Sequence, residues 1–239
     1  MMPKKEIKRN SINLSLKSLH NVYQLSDIHI RNFKRHTEYN YVFERVYETI
    51  KQDTSEEFII VVTGDISHAK TDMSPELIQM ISTFLRSLAD IAPTFLIAGN
   101  HDCNLNNKDR LDVLLPIIEL LNHPNLFYLK DTGIYSLPQY DLDFIVFSVF
   151  DNPENYFPVS ESTASKKICL YHGVVDGCIL DNGMAMTTNH MTLDKFIGAD
   201  ITMLGDIHKY QTLQDYKLEE LEIDESKLEQ YLAQGWQIQ

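Results

Sequence analysis

Apolar and polar positions along this chain switch between two periods, and their order sketches a fold. Val22 to Ser26 reads as a short strand, and Phe58 to Thr63 (Phe-Ile-Ile-Val-Val-Thr) as a strand buried on both faces. Pro93 to Ala98 is a further apolar run, closed by Gly99. Helical spacing lies between and after these runs. Val42, Phe43, Val46 and Ile50 share one face; Leu77, Ile78, Ile81, Phe84, Leu85 and Leu88 share another behind Pro75; Leu111, Leu114, Leu115, Ile118 and Leu121 share a third. Strand and helix in alternation imply parallel strands joined by right-handed crossovers.

After Asn125 the texture changes. Leu126 to Leu129, Gly133 to Leu137 and Asp143 to Phe150 are strands with turn-length spacers, which predicts antiparallel pairing. Lys167 to Tyr171 and Asp200 to Leu204 are the last clear strands, separated by a long loop over 174–192. Residues 1–20 are polar and read as a lead-in or an edge strand. The order favours an α/β (α+β) fold of two facing mixed sheets with helices outside. Residues 1–211 form one domain, followed by an acidic tail over 212–239.

Strand ends carry the chemistry. Five apolar runs stop at metal-capable side chains: Asp27 and His29, Asp65, Asn100 and His101, His172, and Asp206 and His208. In open α/β sheets ligands gather outside the carboxyl ends of the strands, so adjacent strands would bring all five turns to one patch. Carboxylate, imidazole and amide oxygen together suit Mn²⁺, Fe²⁺ or Zn²⁺, and the lack of clustered cysteines disfavours a structural zinc site. Two divalent ions in such a site can activate a water and orient a phosphoester. His101, next to Asn100, is placed to protonate a leaving oxygen.

Composition narrows the setting. The 239 residues carry ordinary globular composition, with 44% hydrophobic and 23% charged residues. No apolar run reaches the ~20 residues needed to cross a bilayer, and the start lacks the apolar stretch of a secretory signal. Cys103, Cys169 and Cys178 form no paired motif, which suits free thiols in an intracellular compartment, cytoplasmic or nucleoid/nuclear. The net charge of −13 argues against a general nucleic-acid coat. Seven acids against two lysines from Thr212 onward account for −5 of it, leaving −8 for residues 1–211. Basic residues cluster at Lys4, Lys5, Lys8 and Arg9, and again at Arg31, Lys34 and Arg35.

The motifs Asp-x-His, Gly-Asp-x-x-His, Gly-Asn-His-Asp, His-Gly and Gly-x-x-His, in this order, resemble those of the calcineurin-like metallophosphoesterases. The forms GDISH, YHG and LGDIHKYQ look closest to the nuclease branch that includes SbcD-like subunits of double-strand-break repair complexes. The resemblance runs from about Val22 to Gln211. It implies a four-layer sandwich and a dimetal phosphoesterase acting on DNA as exonuclease or endonuclease, with Mn²⁺ as the first choice of ion and Mg²⁺ or Fe²⁺ as alternatives. Asp27, His29 and His208 would hold one ion, Asn100, His172 and Asp206 the second, with Asp65 bridging. His101 would be the general acid, oriented by Asp102, with His68 near the substrate and Arg35 and His36 on a substrate phosphate. Implied partners are DNA, an SMC-like ATPase subunit and a second copy in a homodimer, with no membrane. Two other readings are a phosphatase or phosphodiesterase on small or protein phosphoesters, and a non-catalytic subunit that keeps the fold.

Two features depart from the family pattern. Its last motif is usually Gly-His-x-His, whereas this chain has Gly205-Asp206-Ile207-His208. Two divalent ions carry +4; Asp27 and Asp65 reduce that to +2 and Asp206 to +1, which predicts a preference for harder ions, Mn²⁺ or Mg²⁺ over Zn²⁺. The branch also normally continues with closing strands and a DNA-contacting cap. Only 28 residues follow Gln211, among them Leu228, Tyr231, Leu232 and Trp236 at helical spacing behind Asp224. The expectation is a chain that is truncated, minimal or completed by another subunit, with a sheet edge left open.

Overall fold

The computed structural model describes residues 6–52, 57–70, 72–107, 110–188, 190–209, 211 and 213. The expected tail helix lies outside the described residues. Nine strands occur among those described: β1 (Lys8–Ser11), β2 (Asn21–Leu25), β3 (Phe58–Thr63), β4 (Thr94–Ile97), β5 (Leu126–Tyr128), β6 (Gly133–Leu137), β7 (Leu142–Phe147), β8 (Lys166–His172) and β9 (Ile201–Gly205). Three α-helices, α1 (His36–Lys51), α2 (Pro75–Ile91) and α3 (Leu114–Leu121), lie between them.

Two sheets face each other, ordered β2-β3-β4-β5 and β1-β6-β7-β8-β9. The first is wholly parallel, because each strand returns through a crossover; β5 joins β4 in parallel. The expected antiparallel pairing after Asn125 holds for the β6–β7 hairpin, whereas β7, β8 and β9 pair in parallel. The second sheet is therefore the mixed one. The polar lead-in supplies β1, an edge strand parallel to β6.

The period of two along β3 explains the layering. Ile59 and Val61 enter the core between the sheets with Phe95, Ile97, Phe144, Val146 and Leu170. Ile60 and Val62 point the other way, against α1, α2 and α3 through Phe43, Ile81, Phe84, Leu85, Leu88 and Leu114. All six β3 side chains are buried, and each large one contributes roughly 1.5–3 kcal/mol of burial. On the outer face of the second sheet, Ile145, Phe147 and Cys169 pack against Val175, Met191 and Phe196. That layer is made of turns and single-turn 3-10 helices, because the chain over 174–199 carries no helical periodicity.

Helix ends follow local chemistry. Ser74 caps α2, its hydroxyl accepting the Leu77 N–H at 3.2 Å, with Pro75 in the first turn. Helix α3 starts later than its periodicity predicts. Asp112 Oδ1 accepts the N–H groups of Leu114 and Leu115, which leaves Leu111 outside the helix and 64% exposed.

Candidate metal centre

The carboxyl ends of β2, β3, β4, β8 and β9 meet on one patch where the two sheets converge. Beyond β2 and β3 the pairing continues into the turns. The N–H groups of Asp27, His29 and Ile30 donate to the carbonyls of Gly64, Asp65 and Ile66 at 3.1, 2.9 and 2.8 Å. This zipper holds Asp27, His29 and Asp65 in left-handed backbone, with φ of 54, 50 and 53°; Asp206 after β9 has φ 74°. Asp and His tolerate that region better than most residues, and such strain clusters at functional sites. Glycines permit the close approach. A Cβ on Gly99 would fall on Asp65, 2.8 Å from its Cγ, and one on Gly205 would stand 2.7 Å from Ser26 Oγ.

Each ring and carboxylate is oriented. His172 Nδ1 lies 2.7 Å from the Thr63 carbonyl, which makes it the donor and turns Nε2 toward Asp65 Oδ1 at 3.3 Å. His29 Nε2 stands 3.5 Å from Asp65 Oδ2 and 3.9 Å from Asp27 Oδ1. His208 Nε2 is 3.4 Å from Asp27 Oδ1. Asn100 Nδ2 donates to Asp206 Oδ1 at 3.1 Å, and Asp206 N donates to Asp27 Oδ1 at 3.1 Å. Ser26 Oγ donates to Asp27 Oδ2 at 2.6 Å, and the Tyr39 hydroxyl to the His29 carbonyl at 2.6 Å.

The electrostatics follow this crowding. Burial alone would raise Asp65, but the His172 ring and the His101 N–H, 2.7 Å from Oδ1, hold its acid below the ordinary carboxylate range. Burial would lower His172, yet Asp65 reverses that and brings it to about 9. His29 is lowered by burial and by His101 and His208 against the pull of Asp65 and Asp27. Asp206 is raised by burial, with Asp65 and Asp27 adding to the effect.

Three buried atoms here have no hydrogen-bond partner: His29 Nε2, Asp65 Oδ2 and His172 Nε2. Buried polar atoms are nearly always paired, so three orphans on one patch fit ligands of a cation. Asp27, His29 and His208 offer ligand atoms within 4.8 Å of one another, and so do Asp27, Asp65 and His172. Asn100 and Asp206 border the second group. The expected metal ligands are thus brought together, and oxygen and imidazole donors of this kind fit divalent ions.

The remaining site residues fall into place differently. His101 and His68 stack, with ring centroids 5.2 Å apart at 15°, and His101 Nδ1 lies 3.1 Å from the His68 carbonyl. Asp102 does not orient His101. Its carboxylate is fully buried and accepts the N–H groups of Ser67, Gly99 and Ile66 at 2.8, 2.9 and 3.3 Å. It staples the turn after β3 to the turn after β4, and burial pushes its acid up to about 7 against those donors. Arg35 is exposed and clasped by Glu38, with Nε 2.6 Å from Oε2. His36 Nε2 meets the Arg31 carbonyl at 2.7 Å, so its ring closes the loop before α1 instead of reaching outward. Sequence reasoning missed Asp181, whose Oδ2 stands 3.4 Å from His208 Nδ1. It lies in the irregular stretch over 174–192, where no spacing marks it.

A family model described as calcineurin-like phosphoesterase matches residues 20–210. The chain belongs to the calcineurin-like phosphoesterases. An uncharacterized protein of Acanthamoeba polyphaga mimivirus is 45% identical over 206 residues, covering 82% of this chain. The chain spans 15% of that viral protein's length. The family is one of metal-dependent phosphoesterases, and the cradle described above offers candidate ligands for such a centre. Among the described residues no helix is long and apolar enough to cross a membrane.

Proposed function

We propose that this phosphoesterase cuts DNA phosphodiester bonds, as an exonuclease or endonuclease of the repair type. The observation that carries the reading is the exposed pair of cations Arg31 and Lys34, which follows directly on the His29 turn and suits a polyanionic strand. The likeness of GDISH, YHG and LGDIHKYQ to the nuclease branch supports it.

Bound divalent ions would supply an activated water and offset charge on the phosphoryl oxygens. Asp27, Asp65, His29, His208, His172, Asn100 and Asp206 are the groups that would hold them. Thr63 fixes the His172 ring so that Nε2 faces inward. His101 Nδ1 lies against the His68 carbonyl, which leaves Nε2 as the atom to hand a proton to the leaving oxygen. Asp206, an anionic donor beside Asp27 and Asp65, supports Mn²⁺ or Mg²⁺ over Zn²⁺. An enzyme loaded and active only with zinc would overturn that choice. A homodimer and an SMC-like ATPase partner in an intracellular setting belong to the same reading; sedimentation and co-elution test them.

The net charge of −13 favours a second reading, hydrolysis of small or protein phosphoesters. A Mn²⁺-dependent assay on linear DNA beside p-nitrophenyl phosphate esters separates the two. Degradation of DNA is the expected result, and turnover of the small esters with intact DNA would refute the nuclease reading.

A further inference from the structure

Phe33 is exposed to 72%, the highest value for any aromatic residue described. Its φ is 54°, in the left-handed region that bulky side chains avoid. A ring that buries little and sits on strained backbone is not accounted for by folding.

Its loop is nevertheless pinned. Asn32 Nδ2 donates to the Asp72 carbonyl at 2.7 Å, and Asn32 Oδ1 accepts the Ser74 N–H at 3.2 Å. His36 closes the loop on the Arg31 carbonyl, and Glu38 clasps Arg35. Ile30, one residue past His29, bridges to Ser67 of the neighbouring turn. Phe33 therefore stands at the tip of a braced turn, flanked by Arg31 and Lys34, at the border of the metal centre. Burial lowers the His68 imidazole, and the charge of Arg31 nearby adds to that.

An exposed ring on a braced turn, with Arg31 and Lys34 beside it in the chain, matches one ligand chemistry well. A nucleobase offers a π-face for stacking, and its flanking phosphates meet the cations. We propose that Phe33 is a stacking platform for an unpaired base of the strand whose phosphodiester enters the metal centre. This rests on the nuclease reading above and adds a preference for single-stranded or frayed ends over closed duplex.

The test uses the full chain with Mn²⁺ and compares Phe33→Ala, Phe33→Leu and Phe33→Tyr. Anisotropy of a labelled single-stranded oligonucleotide should weaken roughly 5- to 150-fold in the first two and return to near the wild-type value in the third. Metal content and the melting temperature should be unchanged in all three. Wild-type oligonucleotide affinity in Phe33→Ala overturns the platform while leaving the nuclease reading intact. A wild-type protein that hydrolyses the small ester but neither binds nor cuts DNA overturns both. A change in sedimentation of Phe33→Ala without loss of oligonucleotide binding assigns the ring to a protein contact and also overturns the proposal.

Discussion

Gly99→Ala adds one methyl group at the point where the two central turns touch. The new Cβ would fall on Asp65 Oδ1 and stand 2.8 Å from Asp65 Cγ, where carbon–carbon contact needs about 3.5–4 Å. It would also meet the Asp65 backbone nitrogen, so the turn and its carboxylate must retreat by about 1 Å. Two costs follow. Overpacking a closely fitted interior costs about 1–3 kcal/mol. The same displacement breaks the 2.7 Å bond from the His101 N–H to Asp65 Oδ1, which costs a further 1–3 kcal/mol or so. The sum, about 2–6 kcal/mol, lowers Tm by about 5–20 °C for a chain of this size. Metal ligation tolerates only about 0.2 Å, so affinity at the Asp65 site should fall at least about tenfold. Thermal unfolding in chelator reads the first effect and calorimetric metal titration the second. A Gly99→Ala protein that melts within a degree of wild type and binds its metal normally would refute the packing argument.

Four other outcomes are expected. His101→Gln should lower kcat by about 10²–10⁴-fold with metal content unchanged; loss of metal in parallel would make His101 a ligand. Asp102→Ala leaves three backbone N–H groups without their acceptor and should destabilise the protein by about 2–5 kcal/mol in denaturant unfolding; the reasoning fails if stability is unchanged. Asp181→Asn removes the carboxylate behind His208 and should weaken one of two metal-binding steps by up to about tenfold, without moving Tm in chelator; two unaltered steps would dismiss that role. Because His172 is raised from 6.5 to about 9, its protonated form stabilises the metal-free protein fully below pH 6.5, and that stability is lost as pH rises through 9. The loss is roughly 3 kcal/mol, and metal affinity should climb over the same interval as the proton is displaced. Melts in chelator that stay flat from pH 6.5 to 9.5 would contradict this.

Much of this molecule is legible in one dimension. The unbroken run of β3 and the helical stripes of α1 and α2 depend on local period and burial, so their existence and type follow from the residues alone. The ligand positions are legible for a related reason: parallel crossovers force successive strands to end at the same edge, so polar residues after each apolar run must converge. That logic groups Asp27, His29, Asp65, Asn100, His172, Asp206 and His208, the candidate ligands, at one patch from the sequence alone. What it could not settle was direction. Whether Asp102 faces the His101 ring or the backbone of the opposite turn depends on how two loops from different strands cross. Tertiary structure decided that the carboxylate is a staple and that the His68 carbonyl orients His101. Likewise β5 pairs with β4 in parallel, because the chain returns to it through α3, and the short spacers that follow β5 do not reveal that. Asp181 and Phe33 sit on irregular segments, where neighbours are chosen by the folded surface and not by sequence period. The chain by itself determined which groups meet at the metal centre, and only the packing of its two sheets decided which way each one points.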